Sequence, residues 1–152
     1  MDTPLLLEEY FFSHVKVSAD PGASGAENNN APEFKTKVDV IKTKEDNGSY
    51  QVSLSISSYP ESEEKRTAYT VELVAIGFFS VNAEWKDPMK LLEVTGASIL
   101  YAAAREFLIT ITSRGPWGAI MLPTTSFLVM YNKKQESPAQ GEGVKEKGQP
   151  SE

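Results

Sequence analysis

The chain has 152 residues, of which 40% are apolar, and this is enough to build the core of one domain. Acidic residues outnumber basic ones by 21 to 15, and the net charge of -6 would repel a phosphate backbone, which argues against a nucleic-acid partner. The chain has no cysteine and only one histidine, His14, which excludes disulfides and thiolate sites, so we expect no metal and no cofactor.

The N-terminal sequence, MDTPLLLEEYFF, has neither the basic region nor the long apolar stretch of a secretory signal. No run of about 18 consecutive apolar residues occurs, so we expect no membrane-spanning helix and no direct membrane insertion. Together these features predict a cytoplasmic protein. The lack of cysteine agrees with that reducing compartment.

Alternation of apolar and polar residues predicts antiparallel strands in the first half of the chain. The first strand is expected over residues 9–18 and the second over 34–43. The clearest alternation predicts a third strand over 50–57. Asn47 and Gly48 form the tight-turn signal that joins the second and third strands into a hairpin.

A fourth strand is predicted over residues 69–81, and it is apolar on both faces. Leu73 and Phe79 belong to one face, whereas Ile76 and Phe78 belong to the other. Because both faces carry apolar side chains, we expect that other parts of the protein cover each of them.

Two polar segments are predicted to be loops without chemistry. Residues 19–32 are dense in turn formers and lack the lysine and helix start of a phosphate-binding loop. The charged run 61–66 is better explained as a solvated turn than as an acid–base site. His14 lies on a strand without a local partner. We therefore predict no catalytic residue and no enzyme activity.

Residues 97–113 are rich in alanine and leucine and predict a helix, and Arg114, Gly115 and Pro116 supply the cation, C-cap and breaker of a helix end. The polar face of this helix is narrow, and a four-stranded sheet can cover only one of its sides. We therefore expect a subunit interface here. Burial within a single subunit is the alternative.

The last segment, residues 132–152, has only Ala139 and Val144 as apolar residues. A segment of this composition cannot bury enough surface to offset the entropy of ordering. We predict a folded domain over residues 1–131 and a disordered polar tail over 132–152.

Four segments, in one order along the chain, resemble the SecB family of export chaperones. APEFKTKVDV at 31–40 and ELVAIGFFSV at 72–81 are similar to the family's WxPEVKLDLD and CEVQQxGIFSI strands. SILYAAARE at 98–106 and SRG at 113–115 are similar to its NILFPYARE and SRGTFP motifs. Leu122-Pro123 and Phe127 follow as in its LxLxPVNF motif.

This resemblance implies an α+β subunit with a four-stranded antiparallel sheet followed by two helices. It also implies a homotetramer, built as a dimer of dimers with the first helices at its centre. Members of the family bind non-native preproteins without ATP and hand them to the translocase motor SecA. The implied function is therefore that of an ATP-independent holdase chaperone that keeps unfolded preproteins competent for export.

The resemblance also implies roles for individual residues. The implied client-binding residues are Phe34, Phe78, Phe79, Leu100, Tyr101 and Trp117. Glu72 matches an acidic strand residue that faces the motor, and it is the implied contact to SecA. The implied oligomer interface consists of Ile99, Tyr101, Phe107, Leu108 and Ile111.

Departures from the family pattern leave alternatives open. Ala102 and Ala103 replace the family's proline and tyrosine, and the acidic residues of its first strand are not clearly matched here. One alternative is a SecB-like chaperone or interaction module dedicated to another client, such as an antitoxin, without SecA coupling. A hotdog-type thioesterase also wraps a sheet around a long helix, but its helix comes early rather than after all the strands.

Overall fold

A computed structural model provides the fold. It describes residues 3–23, 32–43, 48–60 and 67–136. Several sequence predictions lie wholly or partly outside the described residues, namely most of the 19–32 loop, Asn47, the charged turn 61–66 and residues 137–152.

Four strands form one antiparallel sheet: β1 Leu5–Ala19, β2 Glu33–Lys42, β3 Ser49–Tyr59 and β4 Tyr69–Val81. Their order across the sheet is β1-β4-β3-β2, so β1 and β2 are the two edges. The predicted strands and the β2–β3 hairpin are confirmed, and β4 has the predicted bounds. The first strand begins at Leu5 rather than at residue 9, because its early leucines pair with the end of β4.

The helical part begins earlier than predicted. Helix α1 (Pro88–Leu91), a π-helical turn (Leu92–Gly96) and α2 (Ala97–Thr112) follow one another without a break, in place of a single helix over 97–113. The early start has a local cause, because the Asp87 carboxylate accepts a hydrogen bond from the Lys90 backbone N–H at 3.2 Å. This is an N-cap, and Pro88 in the first turn suits it.

The long helix packs on one face of the sheet. The odd-numbered residues of β4 are buried on that face together with Leu100, Ala104 and Leu108 of α2. The even-numbered residues of β4 lie on the opposite face, where Thr70 is exposed and the others, which include Ile76 and Phe78, are partly buried. The expectation that both faces are covered is therefore met for one face only within the described subunit.

By length and composition alone, the continuous helix Pro88–Thr112 could cross a membrane, with a mean hydropathy of 1.3 in its most apolar window. The sequence prediction considered only uninterrupted runs of apolar residues. This helix contains polar residues, so it was not recognised as long and apolar enough to span a membrane. The helix lies against the sheet, where Leu100 and Leu108 are fully buried. Core helices satisfy the same criteria of length and composition.

A last helix, α3 (Phe127–Glu136), continues past the predicted domain boundary at residue 131. It contacts the π-helical turn, where the Lys134 ammonium lies 3.4 Å from the Glu93 carboxylate. Residues 132–136 therefore belong to the folded domain rather than to a tail. Composition alone could not reveal this, because the stabilising partner is distant in sequence.

A buried tyrosine joins the end of α2 to the sheet. The Tyr69 hydroxyl accepts a hydrogen bond from the Trp117 backbone N–H at 3.2 Å and lies 2.8 Å from the Gly118 carbonyl, to which it donates. Gly115 was predicted to be the C-cap, but Ser113 holds that position with helical dihedral angles. The role of Gly115 is steric, because a Cβ there would collide with the Tyr69 hydroxyl.

Tyr69→Phe should lower the free energy of unfolding by about 1–3 kcal/mol, because it leaves the Trp117 backbone N–H without its partner in a partly buried site. The urea midpoint should fall with an unchanged m value. Tyr50→Phe is the matched control, since no hydrogen bond of the Tyr50 hydroxyl is seen among the described residues. Equal midpoints for the two variants would contradict the role of Tyr69.

Candidate functional site

A surface hollow of about 560 Å³ opens where β2 begins and β3 ends. We call it the Tyr59 hollow, and it is lined by Phe34, Lys35, Ser57, Ser58 and Tyr59. Tyr59 is 48% exposed although its ring is apolar. The hollow can therefore accept an apolar side chain without any rearrangement of the core.

A second hollow, of about 260 Å³, lies between β2 and α3, and we call it the Tyr131 hollow. Residues of β2 from Thr36 to Asp39 form one wall, and Met130 and Tyr131 contribute to the other. The Thr36 hydroxyl lies 3.9 Å from the Met130 sulfur, so α3 and β2 approach each other closely at this point.

Charged groups around the Tyr131 hollow are paired with one another. Lys37 lies 3.9 Å from Asp39, and Lys134 lies 3.4 Å from Glu93. Desolvation, followed by the charges of Asp87 and Glu93, raises the pKa of Tyr131 above its ordinary value, at which the phenol is already neutral near pH 7. The hollow therefore presents neutral groups and balanced charges, which do not select a ligand by its charge.

The third hollow, of about 650 Å³, lies beside the connection from β4 to α1. We call it the Trp85 hollow; Trp85, Leu91 and Val94 contribute its apolar lining, and Asp87 and Lys90 lie at its margin. Trp85 is 45% exposed. Trp85 therefore lines a surface rather than filling the core.

The face of the sheet opposite α2, which we call the open face, carries an aromatic pair on β1 and β4. The ring centroids of Phe11 and Phe78 are 6.0 Å apart. Farther along the same strands, the His14 ring nitrogen lies 3.1 Å from the Glu72 carboxylate, and Lys16 is the register partner of Glu72. The charge around Glu72 is therefore balanced by basic neighbours rather than uniformly acidic.

These surfaces have the chemistry of binding sites. In the described ranges, no group of three or more His, Asp or Glu side chains could hold a metal ion. The Tyr59 and Trp85 hollows each combine aromatic side chains with a larger number of polar or charged ones, so a ligand can place an apolar group against the rings while its polar groups meet the rim. The arrangement can therefore bind apolar side chains at several separate places.

The predicted client-binding residues separate into two groups. Phe34, Phe78 and Trp117 are partly exposed, and the Trp117 indole N–H donates to the Asp20 carbonyl at 2.9 Å. The remaining three are buried in the core, where a client cannot reach them in this subunit: Phe79, Leu100 and Tyr101. Phe78 and Phe79 lie on opposite faces, as successive residues of a strand must.

The residues expected in the oligomer interface also differ in exposure. Ile99 is 38% exposed, and Phe107 and Ile111 are partly buried. Leu108 is fully buried within its own subunit. Tyr101 is likewise internal, because its hydroxyl donates to the Pro123 carbonyl and its ring packs edge-on against Phe127. Of these residues, Ile99 is the one best placed to meet a second subunit.

Sequence reasoning missed the Tyr131 hollow, although a signal for it exists. Phe127, Met130 and Tyr131 recur at helical spacing, and this pattern could have predicted an amphipathic helix there. The polar composition of the following residues concealed it. The contact between this helix and β2 is a tertiary contact, and no local sequence pattern predicts it.

The comparisons with known proteins agree with this architecture. A family model described as preprotein translocase subunit SecB matches residues 7–138. The protein-export protein SecB of Neisseria meningitidis is 27% identical over 111 residues, which cover 72% of this chain and 76% of the relative. That of Legionella pneumophila is 27% identical over 116 residues, which cover 76% of this chain and 71% of the relative.

Two solved structures share the fold. A Mycobacterium tuberculosis SecB-like chaperone, in complex with a peptide from the HigA1 antitoxin, has a TM-score of 0.66 at 13% identity, over 81% of this chain and 91% of that one. A Streptococcus agalactiae protein of unknown function has a TM-score of 0.52 at 12% identity, over 79% of this chain and 97% of that one. Because the family model spans most of the sequence and the sheet-and-helix architecture agrees with it, the chain belongs to the SecB family of protein-export chaperones.

Proposed function

We infer that the protein is an ATP-independent holdase chaperone, which binds non-native polypeptides and keeps them competent for delivery to SecA. The observation that supports this inference is the set of separate hollows with exposed aromatic side chains on a chain of the SecB family. Unfolded clients share exposed apolar segments rather than one sequence, so several shallow apolar sites suit them better than one deep pocket.

The proposed client surface consists of residues implied by the resemblance and of further residues that are exposed in the structure. Phe34 belongs to the Tyr59 hollow, and we keep Phe78 and Trp117 as further proposed contacts because each is partly exposed. Tyr59 and Trp85 are added because nearly half of each side chain is exposed. An extended client could place apolar side chains at several of these positions.

We further propose assembly as a homotetramer, a dimer of dimers, through the outer face of α2. The buried residues of α2 face the sheet, whereas Ile99 and Ala102 lie on the exposed side. A helix that is apolar on both sides is stabilised when a second layer covers it. The proposed compartment is the cytoplasm, where preproteins wait before export.

Delivery to SecA would use Glu72, which lies on the open face farther along β4 than the Phe11–Phe78 pair. A carboxylate on an exposed strand face can recognise a basic segment of a partner. The dedicated antitoxin chaperone is not favoured, because the likeness to the mycobacterial complex, at 13% identity, is one of fold alone.

Aggregation measurements test the holdase proposal. The protein should suppress light scattering from several unrelated, chemically unfolded proteins on dilution without ATP. The double variant Tyr59→Ser/Trp85→Ser should need about tenfold more protein for the same effect, because it removes apolar contact area. Met121→Ser/Val129→Ser is the control, since those side chains are exposed to 57% and 52% but lie outside the three hollows. Equal loss in both double variants would count against client binding in the hollows.

Light scattering coupled to size-exclusion chromatography tests the assembly. The wild-type mass should be about four times that of one chain, and Ile99→Asp should reduce it by placing a charge in an apolar interface. Leu128→Asp, at a side chain 44% exposed on α3, should leave the mass unchanged. A tetramer that persists in the Ile99 variant would contradict the proposed interface.

Binding to purified SecA, measured by calorimetry, tests the delivery step. Glu72→Lys should weaken binding roughly tenfold or more by reversing a charge at the contact. Glu136→Lys makes the same change of charge on α3 and should have little effect. If the wild-type protein suppresses aggregation but does not bind SecA, the holdase proposal stands and the delivery step is wrong.

A further inference from the structure

The connection from α2 to α3 runs back along one flank of α2. We call residues 117–125 of this connection the strap. In its first half, the Ile120 backbone N–H donates to the Thr112 hydroxyl at 2.9 Å. In its second half, the Pro123 carbonyl accepts a hydrogen bond from the Tyr101 hydroxyl. These two contacts hold the strap against the helix.

Between these two contacts, the strap brings a methionine to an arginine. The Arg105 guanidinium nitrogen Nη2 lies 3.5 Å from the Met121 sulfur. Arg105 shares one flank of α2 with Tyr101 and Thr112, as the spacing i, i+4 and i+11 requires on a helix of 3.6 residues per turn. Leu122, the next residue of the strap, is fully buried and anchors the backbone beside Met121.

The contact between Arg105 and Met121 joins a strong donor to a weak acceptor. A guanidinium has five N–H donors and a positive charge, whereas a thioether sulfur accepts hydrogen bonds only weakly. Among the residues that the structure describes, Arg105 forms no ion pair with a carboxylate. Protein groups in the described ranges therefore leave most of the hydrogen-bonding capacity of this arginine unmet.

Met121 is also the methionine that an oxidant reaches most easily in the described ranges. It is 57% exposed, the highest exposed fraction of any large apolar residue there. Met89 is 39% exposed, and Met130 is partly buried. The sequence contains no cysteine, so no thiol competes for a peroxide and the thioethers are its sulfur targets.

We propose that Met121 is a site of reversible oxidation and that Arg105 binds the product. Hydrogen peroxide transfers one oxygen atom to the sulfur: a sulfur lone pair forms the S–O bond, the O–O bond breaks, and water leaves. The sulfur loses two electrons and the peroxide gains them. Sulfoxide reductases, each acting on one of the two epimers, restore the thioether.

The sulfoxide changes the nature of the contact with Arg105. Its oxygen is polar and accepts a charge-assisted hydrogen bond from the guanidinium, which is stronger than a bond between neutral groups. The middle of the strap then gains a firm connection to α2, in addition to the contacts on either side. This site does not depend on the holdase function, because neither residue belongs to the proposed client surface.

The expected effect is opposite to the usual effect of methionine oxidation. A sulfoxide in an apolar contact disrupts the packing around it. Met130 is in that situation, because it lies against β2 in the Tyr131 hollow. At Met121, the same reaction places an acceptor beside an arginine that has no carboxylate partner in the described part of the chain. Oxidation at Met121 should therefore stabilise the fold.

Thermal unfolding before and after oxidation tests this proposal. In the background Met89→Leu/Met130→Leu, hydrogen peroxide should convert Met121 to the sulfoxide, as followed by peptide mass spectrometry. At constant protein concentration the midpoint should then rise by about 2–4 °C, because one net hydrogen bond is added. Arg105→Leu in the same background is the matched control, and its midpoint should not rise. Met1 is present in both proteins, so its oxidation cancels in the comparison.

Two further variants test the same contact without an oxidant. Met121→Gln supplies an amide oxygen in place of the sulfoxide, whereas Met121→Leu supplies no acceptor. The glutamine variant should melt about 2–4 °C above the leucine variant, and this difference should disappear when Arg105→Leu is added to both. A difference that persists without the arginine would overturn the proposal.

Limited oxidation of the wild-type protein tests the choice of site. With less than one equivalent of hydrogen peroxide, Met121 should acquire oxygen before Met89 and Met130 do. Preferential oxidation of either of the other two, or a midpoint that falls when Met121 is oxidised, would overturn the proposal. Suppression of aggregation by the unoxidised protein is a separate readout, so the holdase proposal and this one can fail independently.

Discussion

The packing of α2 across β3 and β4 is the contact on which the other features of the molecule depend. Leu100 and Leu108 are fully buried against the sheet, and Gly77 lies directly beneath. A Cβ at Gly77 would lie 3.0 Å from the Leu100 side chain and closer still to the Phe79 ring, so a side chain there would push the helix away. Because the helix takes one face of the sheet, the other face and both edges are left for partners.

Two polar interactions connect the ends of the helical layer to the rest of the subunit. At one end, the Tyr69 hydroxyl connects the sheet to the loop after α2 through the Trp117 N–H and the Gly118 carbonyl. At the other, the π-helical turn carries Glu93, which pairs with Lys134 of α3. The position of α3 creates the Tyr131 hollow beside the edge of β2, so a structural ion pair and a surface hollow share the same residues.

A holdase has to keep apolar surface exposed without aggregating, and the arrangement of this chain addresses that conflict. Part of its apolar surface lies in separate hollows, with charged groups such as Lys37 and Asp39 beside them. A single continuous patch would favour association with other copies. Under the proposed function, the separate hollows would instead hold an extended client weakly at several points, and the sum of these contacts would provide the affinity.

Alternation of side chains along the strands was enough to predict the sheet, the β2–β3 hairpin and the bounds of β4, because a period of two reports directly on a strand with two different faces. The ordered motifs were enough to identify the family. The sequence could not decide that Phe79 and Leu100 are internal whereas Tyr59 and Trp85 line the surface. All four are apolar residues in plausible positions, and their exposure depends on which face α2 covers. The tertiary structure alone decided this, since burial is set by packing between segments that are distant along the chain.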